Sequence, residues 1–338
     1  MMSRIEPISG YNDRVVLSKA IPLSTPFTLN IFPLNACNFR CNYCAQSLDK
    51  AKLKAIYGFR CADIMSIDTL GKIIDQAKKF DHTFKLVSFM GHGEPLLHPL
   101  LPEMIDRVYK SGIADRIEII TNASKLTPSL SDAIINAKLT NLRISLQGLS
   151  SDKYKQVSDV EIDFNRLVEN ITYFYEHTKE TNVFVKIMDV SLNQGEEEKF
   201  YSIFDKISDR MYIERIKPVY DGVDYSKNSF DHLVDRYGNK HKPRRVCPLP
   251  FFTLSIWPNG DIASCDAIYN PVLLGNIHEH NLLGVWKSPK LNNFRLRLLK
   301  GEKNIIYGCQ KCCAPDDVSH PDDELDSDAK ELLAKFQV

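Results

Sequence analysis

Three cysteines carry the clearest chemistry in the chain. In "NIFPLNACNFRCNYCAQ", Asn30 to Gln46, Cys37, Cys41 and Cys44 are spaced Cys-x3-Cys-x2-Cys. They follow directly on a run that reads as a buried strand. Three thiolates so close together can grip one metal cluster, yet they are one short of the four that close an iron–sulfur cube, so one iron stays open to another ligand. An open coordination position marks a reactive centre, whereas a closed one marks a structural or electron-transfer centre. Half of a zinc site is the plainer alternative, but structural zinc sites pair two Cys-x2-4-Cys knuckles and here three cysteines share one loop.

A second cysteine set lies near the other end. Cys247 and Cys265 are separated by seventeen residues, "PLPFFTLSIWPNGDIAS", whose "PNGD" is a hairpin signal that returns both cysteines to one end. Forty-three residues later, "CQKCC" provides Cys309 and Cys312 as a Cys-x2-Cys knuckle. Four thiolates complete a cluster, so this set suits electron transfer or structure; zinc is its alternative occupant. Cys313 and Cys61 are left over. Both read as buried thiols of no special role, although Cys313 beside the knuckle could replace Cys312 or give a hydrogen atom to a substrate radical.

These residues need a scaffold, and the chain between them alternates strand and helix patterns. Strand-like runs fall at 26–34, 84–90, 116–121, 141–147, 182–190 and 211–219. Amphipathic helical runs fall at 66–80, with Ser66 as N-cap, and at 126–138, with Thr127 as cap and Pro128 at the first helical position; two more cover 163–177 and 195–208. Such alternation argues for α/β architecture, a parallel sheet with helical crossovers, and six units fit an open, partial (β/α)6 TIM-like barrel whose active face lies at the strand C-termini. The pattern fades near residue 220. Residues 221–245 are polar and turn-rich, and the basic run Lys240–Arg245 reads as a solvated face.

Polar residues gather where those strands should end. In "FMGHGEPLLHP" (89–99), Gly91 and Gly93 flank a turn that lets backbone groups approach a ligand, and Glu94 adds a carboxylate. The next two strands end at Thr121 and Asn122 and at Ser145 and Gln147. An ordinary βα turn and ordinary strand-end caps are the plain readings. Composition sets the outer bounds. Lys+Arg and Asp+Glu number 43 each, so no global field recruits nucleic acid or an anionic membrane. With no signal-peptide or membrane-length apolar run, the nine cysteines point to a reducing, cytoplasmic setting and to metal ligation.

The triad, the "GHGEP" turn and the polar strand ends together resemble the radical SAM superfamily. The resemblance implies that Cys37, Cys41 and Cys44 hold a [4Fe-4S] cluster whose free iron chelates S-adenosyl-L-methionine (SAM), cleaved by one electron to a 5′-deoxyadenosyl radical. It places Tyr43 near the adenine, Gly91, Gly93 and Glu94 at the methionine ammonium, and Asn122 and Ser145 at the ribose and carboxylate. The C-terminal set is similar to the SPASM/twitch extension, with Gly260 and Cys265 matching its hairpin. By that likeness Cys247, Cys265, Cys309 and Cys312 hold one auxiliary [4Fe-4S] cluster, in the one-cluster twitch form.

The implied domains are a barrel over 1–225, a linker over 226–246, an auxiliary domain over 247–313 and an acidic tail with a helix over 314–338. The implied activity is oxidation or epimerisation of a small polar substrate, sugar- or aminocyclitol-like, with flavodoxin or ferredoxin as electron donor. A peptide- or protein-modifying maturase or epimerase is the first alternative, and a non-catalytic iron–sulfur or zinc protein the second. For a proton-transferring residue the candidates are Lys186, Asp189, Glu214 and Lys217 on the last two barrel strands, with Cys313 needed only by an epimerase.

Overall fold

A computed structural model describes residues 2–7, 14–226, 228, 230–240, 242–317 and 320–337. Six strands form its centre: β2 (Thr28–Ile31), β3 (Leu86–Phe89), β4 (Ile117–Thr121), β5 (Asn141–Leu146), β6 (Asn182–Met188) and β7 (Arg210–Glu214). All neighbouring pairs among them are parallel, in sequence order. The crossovers carry helices α1 (Ile67–Ala77), α2 (Leu101–Ser111), α3 (Pro128–Asn136), α4 (Ser151–Ser158), α5 (Phe164–His177) and α6 (Glu197–Phe204). The sheet does not close: its order is β1-β7-β6-β5-β4-β3-β2-β8-β9-β10. The expected open, partial barrel is therefore present, with the two-residue strand β1 (Arg4–Ile5) added in parallel at β7.

Local chemistry sets these elements. Ser66 accepts the Thr69 N–H at 3.1 Å and Thr127 accepts the Leu130 N–H at 3.3 Å, so each hydroxyl satisfies a donor that its helix leaves unpaired. Leu70, Ile73, Ile74 and Ala77 of α1 are buried, as the 3.6-residue spacing requires. The strands alternate: Leu29, Ile31, Val87, Phe89 and Ile119 lie in the apolar core, and between them stand Asn30, Ser88 and Glu118, cross-paired in register. On that polar face Ser88 donates to Glu118 at 3.0 Å, and Glu118 pairs with Arg143 at 2.8 Å. A charged inner face is costly to bury, and hydrogen-bonded pairing makes it tolerable.

The C-terminal hairpin is joined to this sheet. Strand β8 (Thr253–Ile256) pairs in parallel with β2, from Thr28↔Thr253 to Ile31↔Ile256. Strands β9 (Asp261–Ala263) and β10 (Leu273–Asn276) continue it antiparallel. Asn30 Nδ2 reaches Thr253 Oγ1 at 3.3 Å and Ser255 Oγ at 3.2 Å, fixing the seam. Strand β2 is thus covered on both sides, which removes an exposed hydrogen-bonding edge from the strand that delivers Cys37, Cys41 and Cys44.

Two segments are more ordered than their composition suggests. Within 226–246, Lys217 Nζ donates to Asp231 O at 3.0 Å and to Val234 O, and Asp235 accepts the N–H groups of Tyr237 and Asn239. The acidic end forms α8 (Ala329–Phe336), which docks on α7 (Pro289–Leu299) with Asn292 Nδ2 on Phe336 O at 2.9 Å. Asp326 takes the N–H groups of Arg245 and Val246, both at 2.8 Å. Among the described residues no helix is long and apolar enough to cross a membrane.

Candidate active site

The C-terminal ends of β2 to β7 surround a cavity of about 200 Å³. Cys37, Cys41 and Cys44 form one wall. The loop that carries them is fixed by main-chain bonds from Arg40 and Asn42 to Ser158 and Val157 at the end of α4, at 2.9 and 2.8 Å. Gln46, two residues past Cys44, donates its side-chain amide to Asn35 O and to His92 O, tying the loop to the turn after β3.

That turn can only be built from glycine at Gly93. A Cβ there would lie 2.5 Å from the carbonyl oxygens of Leu34 and Ala36, so the turn packs backbone to backbone against the cysteine loop. Gly91 has φ +136°, and a Cβ on it would sit 2.9 Å from Phe32 Cγ. Glu94 follows, buried, with its own N–H on Ala36 O at 2.8 Å. Its carboxylate accepts Thr121 Oγ1 at 2.5 Å, the Asn122 N–H at 2.7 Å and the Leu96 N–H at 2.9 Å. Burial nevertheless outweighs these donors and raises its pKa to about 7. A carboxylate in this state favours a cationic partner.

Gly91, Gly93, Glu94, Asn122, Ser145 and Tyr43 all line this cavity with the three cysteines. Asn122 is oriented from the cysteine loop, its Nδ2 on Asn38 Oδ1 at 3.0 Å. Gln147 donates Nε2 to Ser145 O at 2.8 Å, and its buried Oε1 has no partner among the described residues. An orphaned buried acceptor in a cavity wall is a group prepared for a ligand donor.

Lys186 and Glu214 form another part of the lining. Their ion pair is 2.7 Å long, with side chains 13% and 3% exposed. Burial holds Lys186 below its ordinary range. Burial works against ionised Glu214, but Lys186, Arg236 and Arg143 overcome it and hold the carboxyl below its usual value. Two other candidates lie elsewhere. Asp189 is outside the cavity lining, where Oδ1 accepts the N–H groups of Val190 and Ile216 at 2.8 and 3.0 Å. Lys217 is buried and occupied by Asp231 O, Val234 O and Asp317, the last at 3.4 Å. Strand alternation cannot separate these fates, because both residues sit where β6 and β7 have ended and backbone groups need partners.

The second cysteine set also converges. Cys247, Cys265, Cys309 and Cys312 line one cavity with Tyr269 and Lys303; Cys313 is not in that lining. The Cys313 carbonyl instead accepts the N–H groups of Asp316 and Asp317. Cys61 is partly buried against the apolar cluster of Phe32, Phe59 and Trp257. The same cluster holds His92, stacked on Trp257 at 5.5 Å with Nε2 3.1 Å from Asp266 O, next to Cys265. Burial lowers His92 to about 4, so it is a neutral link between the two cysteine sets.

The donor sets fit iron–sulfur clusters. Burial raises all seven thiols above the ordinary range, Cys37 and Cys309 to about 12, and Arg40 and Lys303 offset this only in part. Buried thiols of this kind ionise when a metal centre brings the positive charge. Among the described residues no three His, Cys, Asp or Glu side chains converge as a single ion requires; the thiols ring wider volumes.

The radical SAM superfamily model matches residues 31–236, from the end of β2 past β7. The chain belongs to the radical SAM superfamily. A second family model, the SPASM iron–sulfur cluster-binding domain, matches residues 247–313, which include all four cysteines of the C-terminal cavity. A radical SAM enzyme with this extension carries a SAM-binding [4Fe-4S] cluster, S-adenosylmethionine and auxiliary iron–sulfur ligation. "Probable GTP 3',8-cyclase" of Methanococcus maripaludis (strain C7) is 32% identical over 132 residues, spanning only 39% of its own length and 39% of this chain. The crystal structure of BtrN in complex with AdoMet and 2-DOIA has a TM-score of 0.55 at 16% identity, covering 87% of this chain and 94% of BtrN. Streptococcus suis SuiB bound to S-adenosylmethionine gives 0.60 at 20% identity, covering 88% and 74%. These structures share the fold of this radical SAM protein.

Sequence patterns do not single out the polar groups Gln46, Arg143 and Arg236, of which the last two act on Glu214 without lining the cavity. Gln46 had a signal, since an amide two residues past a cysteine ligand motif is well placed to bind the loop. Arg236 had none, because it falls in an irregular polar stretch.

Proposed function

We propose that this radical SAM enzyme is an oxidoreductase that removes two electrons from a carbinol of a small polar, sugar- or cyclitol-like substrate. The observation that carries the proposal is the buried Lys186–Glu214 pair in the wall of the cavity that the cysteine triad also lines. When bound, the cluster and S-adenosylmethionine supply a radical that takes a hydrogen atom from carbon. Conversion of the secondary alcohol to a ketone then requires that the hydroxyl proton and one further electron leave. Lys186 Nζ, 2.7 Å from the Glu214 carboxylate, is placed to take the hydroxyl proton as it passes one of its own to Glu214, so that the pair as a whole accepts the proton. Cys247, Cys265, Cys309 and Cys312 would hold the auxiliary cluster, which would provide an acceptor for that electron, and flavodoxin or ferredoxin would supply the initiating one.

The test is anaerobic turnover of the reconstituted, dithionite-reduced enzyme with SAM and a panel of sugars, sugar acids and cyclitols. One 5′-deoxyadenosine per carbonyl product is expected. A stereochemically inverted product containing solvent deuterium, or turnover confined to a peptide, would replace the oxidation reading.

In this reading Glu94 receives the methionine ammonium, and pH reports it. Its folded pKa of about 7 lies above the ordinary value of 4.5, so the native state holds a proton that the unfolded chain releases. Stability is therefore full below about 4.5, falls as pH rises towards 7 and stays reduced above it, by an amount on the order of 3 kcal/mol. Thermal melts should show this slope, SAM should reduce it by pairing the carboxylate, and Glu94→Gln should flatten it. An unchanged slope in Glu94→Gln would remove Glu94 from the role.

A further inference from the structure

A further cavity, of about 100 Å³, shares no lining residue with the cavity of either cysteine set. It lies between the 57–63 segment and the C-terminal hairpin, walled by Tyr57, Phe59 and Trp257 with Asn35, Ile268 and Asn270. Three of these residues each carry a buried polar atom with no partner among the described residues: Asn35 Oδ1, Trp257 Nε1 and Asn270 Oδ1. Asn35 is 2% exposed and Trp257 8%. Native proteins seldom leave such groups unmatched, and three in the walls of one cavity point to a ligand.

The roles of the three atoms are fixed. Asn35 Nδ2 donates to Arg60 O at 3.0 Å, which turns the amide so that Oδ1 is left to accept. An indole N–H can only donate. Trp286, the other tryptophan, places its own Nε1 on Leu23 O at 2.8 Å. Asn270 stands in the left-handed region at φ +41°, where its main-chain N–H, not its side chain, closes the turn on Ala267 O at 3.0 Å. The charged groups of the lining are already paired. Arg60 Nε is 3.0 Å from Asp63 Oδ2, and Asp261 accepts Asn259 Nδ2 at 2.7 Å and Asn276 Nδ2 at 3.0 Å. The site therefore suits a neutral group.

Such a group needs two N–H donors, one oxygen acceptor and flat faces for the aromatic walls. A primary carboxamide holds all of these in one plane. A single water offers the same hydrogen bonds, but it needs only about 10–15 Å³ of such space and leaves the rings without a partner. We propose that this cavity binds a primary carboxamide, whose NH2 donates to Asn35 Oδ1 and Asn270 Oδ1 and whose oxygen accepts from Trp257 Nε1. The main-chain oxygen of Asn35 accepts Gln46 Nε2 at 2.9 Å, so the occupant touches the segment that leads into Cys37. A free small amide and the glutamine or asparagine side chain of a peptide share this chemistry.

The test uses the full chain with both clusters reconstituted and oxidised, and with its tryptophans labelled with ¹⁵N at the indole. The two indole N–H signals are followed by NMR during titration with acetamide and, separately, with a blocked tripeptide centred on glutamine. A saturable shift of the Trp257 signal is expected while Trp286 stays in place, and the probe that saturates at lower concentration tells free amide from peptide. Trp257→Phe assigns the signal by deleting it. Asn270→Gly removes one acceptor at a backbone position that glycine adopts readily, and should weaken the acetamide midpoint at least about fivefold. N,N-dimethylacetamide, which keeps the oxygen and lacks the N–H donors, should leave Trp257 in place. A Trp257 signal that moves with neither amide would mean ordered water only and overturns the proposal. An equal response to N,N-dimethylacetamide, or an unchanged midpoint in Asn270→Gly, overturns it as well.

Discussion

Cys41→Ala is expected to abolish reductive cleavage of S-adenosylmethionine and to lower the iron content from about eight to about four per chain. Cys41 is buried, its thiol 3.4 Å from Ser158 Oγ, on a loop fixed by α4 and by Gln46. No other cysteine stands beside the triad in the lining of that cavity, so a missing thiolate has no replacement there. The auxiliary site gives the control. Cys309→Ala should lose the other half of the iron and still cleave SAM. Iron analysis with 5′-deoxyadenosine quantification decides both, and cleavage by Cys41→Ala at the unmodified rate would refute the triad's role.

The second large effect is expected from Lys186→Met. Removing the ammonium should cut the oxidised product on the order of 10²- to 10⁴-fold while 5′-deoxyadenosine still forms, because the loss falls on proton transfer. The change also strands the Glu214 carboxylate, and breaking a buried pair from one side costs about 3–5 kcal/mol. Arg143 and Arg236 lie within reach of that carboxylate and hold the cost towards the lower end. Lys186→Met/Glu214→Leu removes both charges and should recover most of the stability without recovering oxidation. Measuring thermal stability and product together separates folding from chemistry. Full product yield from either variant would exclude the pair.

The sequence showed most of the barrel because its signals are local. Ser66 and Thr127 cap helices where they were expected, and five of the six predicted parallel strands lie within their runs, β7 beginning one residue before its own. The triad was equally plain, since its meaning lies in spacing along one loop. Strand β7, expected over 211–219, stops at Glu214 because Asp189 takes the Ile216 N–H and Lys217 turns to the segment beyond. That exchange joins residues distant in sequence and leaves no periodic trace.

The seam between β2 and β8 was hidden for the same reason. Thr28 and Thr253 are neighbours only in the folded sheet, and the hairpin signal at "PNGD" carries no information about which edge it will meet. Charge pairing was the least legible feature. Alternation placed Lys186 and Glu214 among the candidates, but their 2.7 Å contact depends on three-dimensional placement alone.

The measurement that bears most directly on the account is electron–nuclear double resonance of the reduced enzyme mixed with SAM labelled with ¹⁵N at the amine and ¹³C at the carboxylate. Strong coupling of both labels to the cluster is predicted, with the coupling gone in Cys41→Ala. A cluster of intact spectrum that shows no coupling to either label would mean that its fourth iron is already taken, and the cube held by Cys37, Cys41 and Cys44 would not be a SAM-binding centre.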